Sequence, residues 1–150
     1  DLLNHIGDGL RQFNPDVWIN RLFKTLKSGG NYTIRDVRYP NEAHRITRSG
    51  GLVVRLWRPG HVESQLDFPS ERGLDDWDTE LLRCGIDKSG PIEAGQVPEH
   101  IKINYLIVND GSLEKLQLHL QTEFLDYIAN TLKFLISVKD PLTNMISDTL

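Results

Sequence analysis

The sequence predicts an α/β fold built on a parallel sheet, and three observations carry that prediction. A helix, a Ser-Gly-Gly turn and an apolar run follow one another twice, with turns at Ser28-Gly29-Gly30 and Ser49-Gly50-Gly51. Three short apolar runs, Tyr32–Val37, Leu52–Trp57 and Tyr105–Val108, have the length of strands. A long helical stripe follows the last of them. Strands alternating with helices are what crossover connections onto a parallel sheet produce. The three runs are therefore expected to be parallel members of one sheet, with Asp36 and Asn109 at the same edge.

Each element has a local reason. Leu2, Leu3, Ile6 and Leu10 recur at helical spacing. Asn14-Pro15-Asp16 reads as a helix start: Asn caps, Pro suits the first turn, and Asp favours the positive end of the dipole. The helix it opens buries Trp18, Leu22 and Leu26. Pro40 suits the first turn of a short helix holding Ala43 and Ile46. Residues 59–101 carry four of the seven prolines and five glycines, with a weak helical signal near Trp77–Arg83. An excursion of that length is expected to be mobile and to act as a lid. Ser112 can cap a long helix whose stripe is Leu113, Leu116, Leu120, Phe124, Ile128, Leu132 and Leu135, expected to be core packing. Residues 140–150 show no pattern.

A chain of 150 residues, 39% hydrophobic and 25% charged, suits one globular domain. Its formal charge of −4 argues against a general nucleic-acid binder, yet a few local arginines suffice for a small phosphorylated ligand. The single cysteine, Cys84, excludes an intrachain disulfide and fits a reducing cytosol. No apolar run approaches a membrane span. The histidines have no metal-ligand spacing, so no structural zinc is expected, and no nucleophile elbow occurs.

The chemistry concentrates in Asn31–Glu42, NYTIRDVRYPNE. An apolar run there ends in Asp36-Val37-Arg38 and passes through Tyr39 into the helix that Pro40 opens. On a strand, Asp36 and Arg38 would point to the same face, at the carboxyl end where open α/β sheets bind ligands. A carboxylate and a guanidinium so placed suit phosphoryl transfer, which is mostly positioning and charge stabilisation. Asn41 and Glu42 can also serve simply to cap the helix.

This segment resembles the D-[VT]-R-[FY]-P-N-E pattern of phage-type deoxynucleoside monophosphate kinases, and the resemblance runs from about Leu2 to about Leu125. Leu2-Leu3, Ile6-Gly7-Asp8 and Arg11, followed by Pro15-Asp16 and Trp18, resemble that family's monophosphate-binding segment, with Asp8 where threonine is usual. Phe68-Pro69-Ser70-Glu71-Arg72-Gly73-Leu74-Asp75 is similar to its [HF]-P-S-E-x-x-L-D segment. Asn109-Asp110-Gly111 is similar to a turn that many nucleotide kinases place against the donor adenine, although Asp-Gly after a strand is first of all a turn.

The resemblance implies a three-layer P-loop nucleoside monophosphate kinase fold with a parallel sheet, incomplete here because no G-x-x-x-x-G-K-[ST] loop occurs in the 150 residues. The abrupt start at Asp1, with Met145 the only methionine, leads to the expectation that the chain is the C-terminal part of a single kinase domain. The resemblance further implies ATP and Mg²⁺, and transfer of the γ-phosphoryl group to a deoxynucleoside monophosphate in the cytoplasm. Asp36 would position metal or water, and Arg38 a phosphate. Arg11, Trp18, Arg21 and Glu71 would contact the acceptor, with Trp18 facing its base. One of Arg55, Arg58 and Arg72 would close on the phosphoryl group as a lid arginine, and Asn109, Asp110 and Gly111 would touch adenine. The implied partners are small-molecule nucleotides, with neither nucleic acid nor membrane, and a homodimer as the assembly. Two rivals stand beside this reading. One is a phosphomevalonate-type kinase of the same fold; the other is a non-catalytic nucleotide- or protein-binding module without the phosphate loop.

Overall fold

Each strand of a sheet needs a neighbour to complete its ladder, and that requirement decides which apolar runs become strands. The computed structural model describes residues 2–60 and 73–133. In it, β1 (Val54–Trp57) lies parallel to β3 (Tyr105–Val108), with Val54 opposite Tyr105 and Trp57 opposite Val108. A two-residue strand, β2 (Gly90–Pro91), pairs antiparallel with the other edge of β3. The sheet is thus mixed, in the order β1-β3-β2, and not purely parallel. Central β3 is the most buried strand, its Tyr105, Leu106 and Ile107 each at most 5% exposed. The start of the ladder is fastened by Asn104: its N–H donates to the Val53 carbonyl at 2.8 Å, and its Oδ1 accepts from the Val53 N–H at 2.8 Å.

The strand expected over Tyr32–Val37 does not form. Among the described residues that run has no ladder partner, and Asp36 adopts φ 59°, a left-handed conformation incompatible with a strand. The expectation that Asp36 and Arg38 share a strand face falls with it.

The helices follow the sequence more closely. They are α1 (Leu2–Phe13), α2 (Val17–Thr25), α3 (Pro40–Arg48) and α4 (Asp75–Arg83). Between α1 and α2, the Asn14 side chain accepts the Asp16 N–H at 3.0 Å, a turn rather than the cap expected of it. One core cluster joins Ile19 of α2, Ala43 and Ile46 of α3, Trp77 and Leu81 of α4, and Leu106 of β3. Leu74, Trp77, Leu81 and Ile101, all within the span read as an excursion, are therefore core residues.

The chain divides after Val108 into two compact units. The second holds α5 (Leu113–His119), which continues through a π-helical turn (Leu120–Phe124) and on to residue 133. Ser112 caps α5, its Oγ accepting the Lys115 N–H at 3.3 Å, as the sequence predicts. The stripe expected to be core packing contains no fully buried residue among those described: Leu116, Leu120, Phe124 and Ile128 are half-buried, and Leu113 and Leu132 are exposed. Leu135 lies outside the described residues.

Candidate functional site

The first turn of α3 is built around one carboxylate. Pro40 occupies the opening turn, where its missing N–H costs nothing, and Glu42 reaches back to cap the helix. Glu42 Oε2 accepts the backbone N–H of Arg38 at 3.0 Å and of Tyr39 at 3.2 Å, while Oε1 accepts Arg11 Nη2 at 2.7 Å. Glu42 is only 7% exposed, so all three donors act on a charge removed from most water. The guanidinium of Arg11 also lies over the Tyr39 ring, 3.9 Å from its centroid.

Three further bonds join the same segments. Tyr39 Oη donates to Asp8 Oδ1 at 3.1 Å, and Asn41 Nδ2 donates to Pro15 O at 3.0 Å and to Asp16 Oδ1 at 2.7 Å. Trp18 Nε1 donates to the Gly7 carbonyl at 3.3 Å. The end of α1, the start of α2 and the start of α3 are thereby fastened together, although 25 to 31 residues separate the partners across α3.

Beside this network lies a cleft of about 100 Å³. One wall is Trp18, Ile19 and Leu22 of α2; the other is Ile34, Arg35, Asp36 and Val37, with Glu42 at the base of α3. Four consecutive residues on one wall is not what a strand can offer, because its side chains alternate between faces. The left-handed Asp36 breaks that alternation. Non-glycine residues held there cost of order 1–3 kcal/mol and cluster at ligand sites.

The other predicted site residues fall as follows. Trp18 lines the cleft and is 39% exposed. Asp36 and Arg38 are exposed, with Asp36 on the cleft wall. Arg21 is exposed on α2 and is not part of the cleft lining. Arg55 of β1 makes a two-pronged ion pair with Asp78 of α4, Nε to Oδ1 at 2.9 Å. The Asp78 hydrogen bonds raise the Arg55 pKa against the lowering effect of burial. Arg58 is exposed just beyond β1, while Glu71 and Arg72 lie outside the described residues.

In the second unit, Asp110 accepts from Lys115 Nζ at 2.7 Å, a bond that holds its carboxyl below the usual carboxylate range. A Cβ on Gly111 would meet the Lys115 side chain at 2.8 Å. Asn109-Asp110-Gly111 therefore forms a tight lead into α5.

Sequence reasoning missed Arg35, and only the turn at Asp36 could have revealed it. Aspartate is among the few residue types that tolerate the left-handed region, which is a weak signal. The partnership of Arg11 with Glu42 was equally hidden, since neither residue's spacing marks it. Comparison with family models, curated proteins and solved structures finds no match to this chain.

Proposed function

We propose that this chain carries the acceptor side of a nucleoside monophosphate kinase site, at which the γ-phosphoryl group of ATP passes to a deoxynucleoside monophosphate. The observation that carries this reading is the meeting of the two segments on which the resemblance rests. Residues of 8–18 and of 36–42 bond to one another and flank a single cleft. In this reading Arg38 stabilises charge on the transferring phosphoryl group, Asp36 orients it, and Trp18 offers an aromatic wall to the acceptor. Arg11 acts by position: its guanidinium is already engaged by Glu42 and Tyr39, so it holds the cleft's shape.

Mg²⁺ in such sites is usually held by one or two carboxylates together with substrate phosphates, so the single exposed carboxylate of Asp36 fits a metal carried in on the donor. Bound there, Mg²⁺ would neutralise developing charge on the donor phosphates. Among the described residues no cluster of three or more ligating side chains offers an all-protein metal site.

The test uses the protein expressed from its complete reading frame, with ATP, Mg²⁺ and each of the four common deoxynucleoside monophosphates. At least one should yield its diphosphate. Arg38→Ala should cut that turnover roughly a hundredfold, the effect of losing ~3 kcal/mol of charge stabilisation, with little change in melting temperature. No diphosphate from any of the four would sink the kinase reading. Tight nucleotide binding without turnover would favour the non-catalytic module instead, and turnover of phosphomevalonate the other small-molecule kinase.

A further inference from the structure

One of the residues lining the cleft is an arginine outside the Asp36-Val37-Arg38 motif. Of the arginines in and around it, Arg11 is engaged by Glu42 and Tyr39, and the backbone N–H of Arg38 is engaged by Glu42. Arg35 lies on the cleft wall, and no hydrogen bond or ion pair engages it among the described residues. It is exposed, so its guanidinium keeps its full donor set. Its neighbour on the wall is Asp36, whose φ of 59° is what brings residues 34–37 to the same cleft.

The lining is chemically mixed. Trp18, Ile19, Leu22, Ile34 and Val37 make the apolar part, and Arg35 is the cation among the lining residues. Of the two carboxylates, Glu42 is already taken up by Arg11 and two backbone N–H groups, while Asp36 adjoins Arg35. The cleft's volume of about 100 Å³ leaves room for a phosphoryl-sized group beside Arg35. A guanidinium presents a planar fork that matches the oxygens of a phosphate two at a time.

We infer that Arg35 binds the phosphate of the acceptor monophosphate, as the ground-state anchor that leaves Arg38 for the transferring group. This assignment rests on the acceptor-site reading above and adds a residue to it. Its consequence is specific: Arg35 sets affinity for the monophosphate and not for the matching nucleoside, which lacks the anion. The left-handed turn at Asp36 then sets Arg35, whose guanidinium no described group engages, on the cleft wall.

The experiment is calorimetric titration of the full-length protein with the four deoxynucleoside monophosphates and with their deoxynucleosides. Arg35→Gln should weaken monophosphate binding about 10- to 100-fold, the range for a lost hydrogen bond to a charged group, and leave nucleoside binding unchanged. Arg35→Lys should recover part of the loss, since an ammonium keeps the charge without the fork. Arg48→Gln, an exposed change away from the cleft, should alter neither. The melting temperature of Arg35→Gln should match the unaltered protein, which separates lost contact from lost fold. If Arg35→Gln binds monophosphate normally while Arg38→Gln does not, the anchor is Arg38; this inference is overturned and the acceptor site stands. Equal losses for monophosphate and nucleoside would mean a collapsed cleft and would also overturn it. Failure of the unaltered protein to bind any monophosphate overturns the acceptor-site reading and this assignment together.

Discussion

Two stretches of this chain are written alike and fold differently. Ser28-Gly29-Gly30 and Ser49-Gly50-Gly51 each follow a helix and precede an apolar run. At the second, α3 ends in a closed cap: the Gly51 N–H donates to the Ile46 carbonyl and the Gly50 N–H to the Thr47 carbonyl, both at 3.0 Å, with Gly50 at φ 79°. The run after it becomes β1, because β3 lies alongside. At the first, α2 ends at Thr25, three residues before the turn, and Leu26 is already extended. The run after it finds no ladder, and the Tyr32 hydroxyl folds back to accept the Lys27 N–H at 2.7 Å. A strand is a property of a pair, not of a sequence. The unpaired run is free to bend, and at Asp36 it does.

Substitutions in the two regions test that contrast. The largest effect should come from Glu42→Ala, which removes the carboxylate that anchors the unpaired run to α3. Arg11 and the N–H groups of Arg38 and Tyr39 would lose their acceptor, at a cost of about 3–5 kcal/mol for a broken, largely buried pair. Urea unfolding measures it, and a loss below about 1 kcal/mol would mean that the network does not hold the segment.

Next come the turns. A Cβ at Gly51 would stand 2.7 Å from the Ile46 side chain and 3.1 Å from its carbonyl oxygen, both parts of the capped helix end. At Gly30 the closest atom, 2.5 Å away, is the hydroxyl of exposed Tyr32, which can swing aside at the loss of its bond to Lys27. Gly51→Ala should therefore destabilise by roughly 1–3 kcal/mol, as overpacking does, and Gly30→Ala by less. Equal losses in thermal unfolding would erase the distinction between the two turns.

The smallest effect belongs to the second unit. The Lys115 hydrogen bond lowers the Asp110 pKa, so the stability it contributes is present above the unfolded pKa and fades as pH falls through the folded one. Carboxyl titration followed by NMR should show Asp110 below the ordinary carboxylate range, and Lys115→Ala should return it there. An unchanged Asp110 titration would remove the pair from solution.

Much of the local structure was legible because its causes are local. Pro40 and Glu42 mark the start of α3, Ser112 marks the start of α5, and the strand at Tyr105–Val108 stands where its apolar run predicts. What was hidden depends on partners distant in sequence. The run at Tyr32–Val37 looks like a strand until one asks what pairs with it. The strand Gly90–Pro91 carries no periodic signal, and proline is tolerated there only because it lies at a sheet edge. In the site, the motif pointed to Asp36 and Arg38. It could not show that Glu42 ties Arg11 down across 31 residues, nor that a bend brings Arg35 to the cleft.

Asp36 sits in a left-handed bend on the cleft wall, where the sequence alone suggests a strand. Stability measured for Asp36→Gly and Asp36→Val tests it most directly, because the two conformations rank these residues in opposite orders. In the left-handed region glycine is relieved of strain and a β-branched residue is an outlier. In a strand valine is favoured and glycine is penalised. Asp36→Gly should unfold within about 1 kcal/mol of the unaltered protein, and Asp36→Val should be less stable than Asp36→Gly by roughly 1–2 kcal/mol. Asp36→Val as the more stable of the two would contradict the bend, and with it the cleft built on four consecutive residues.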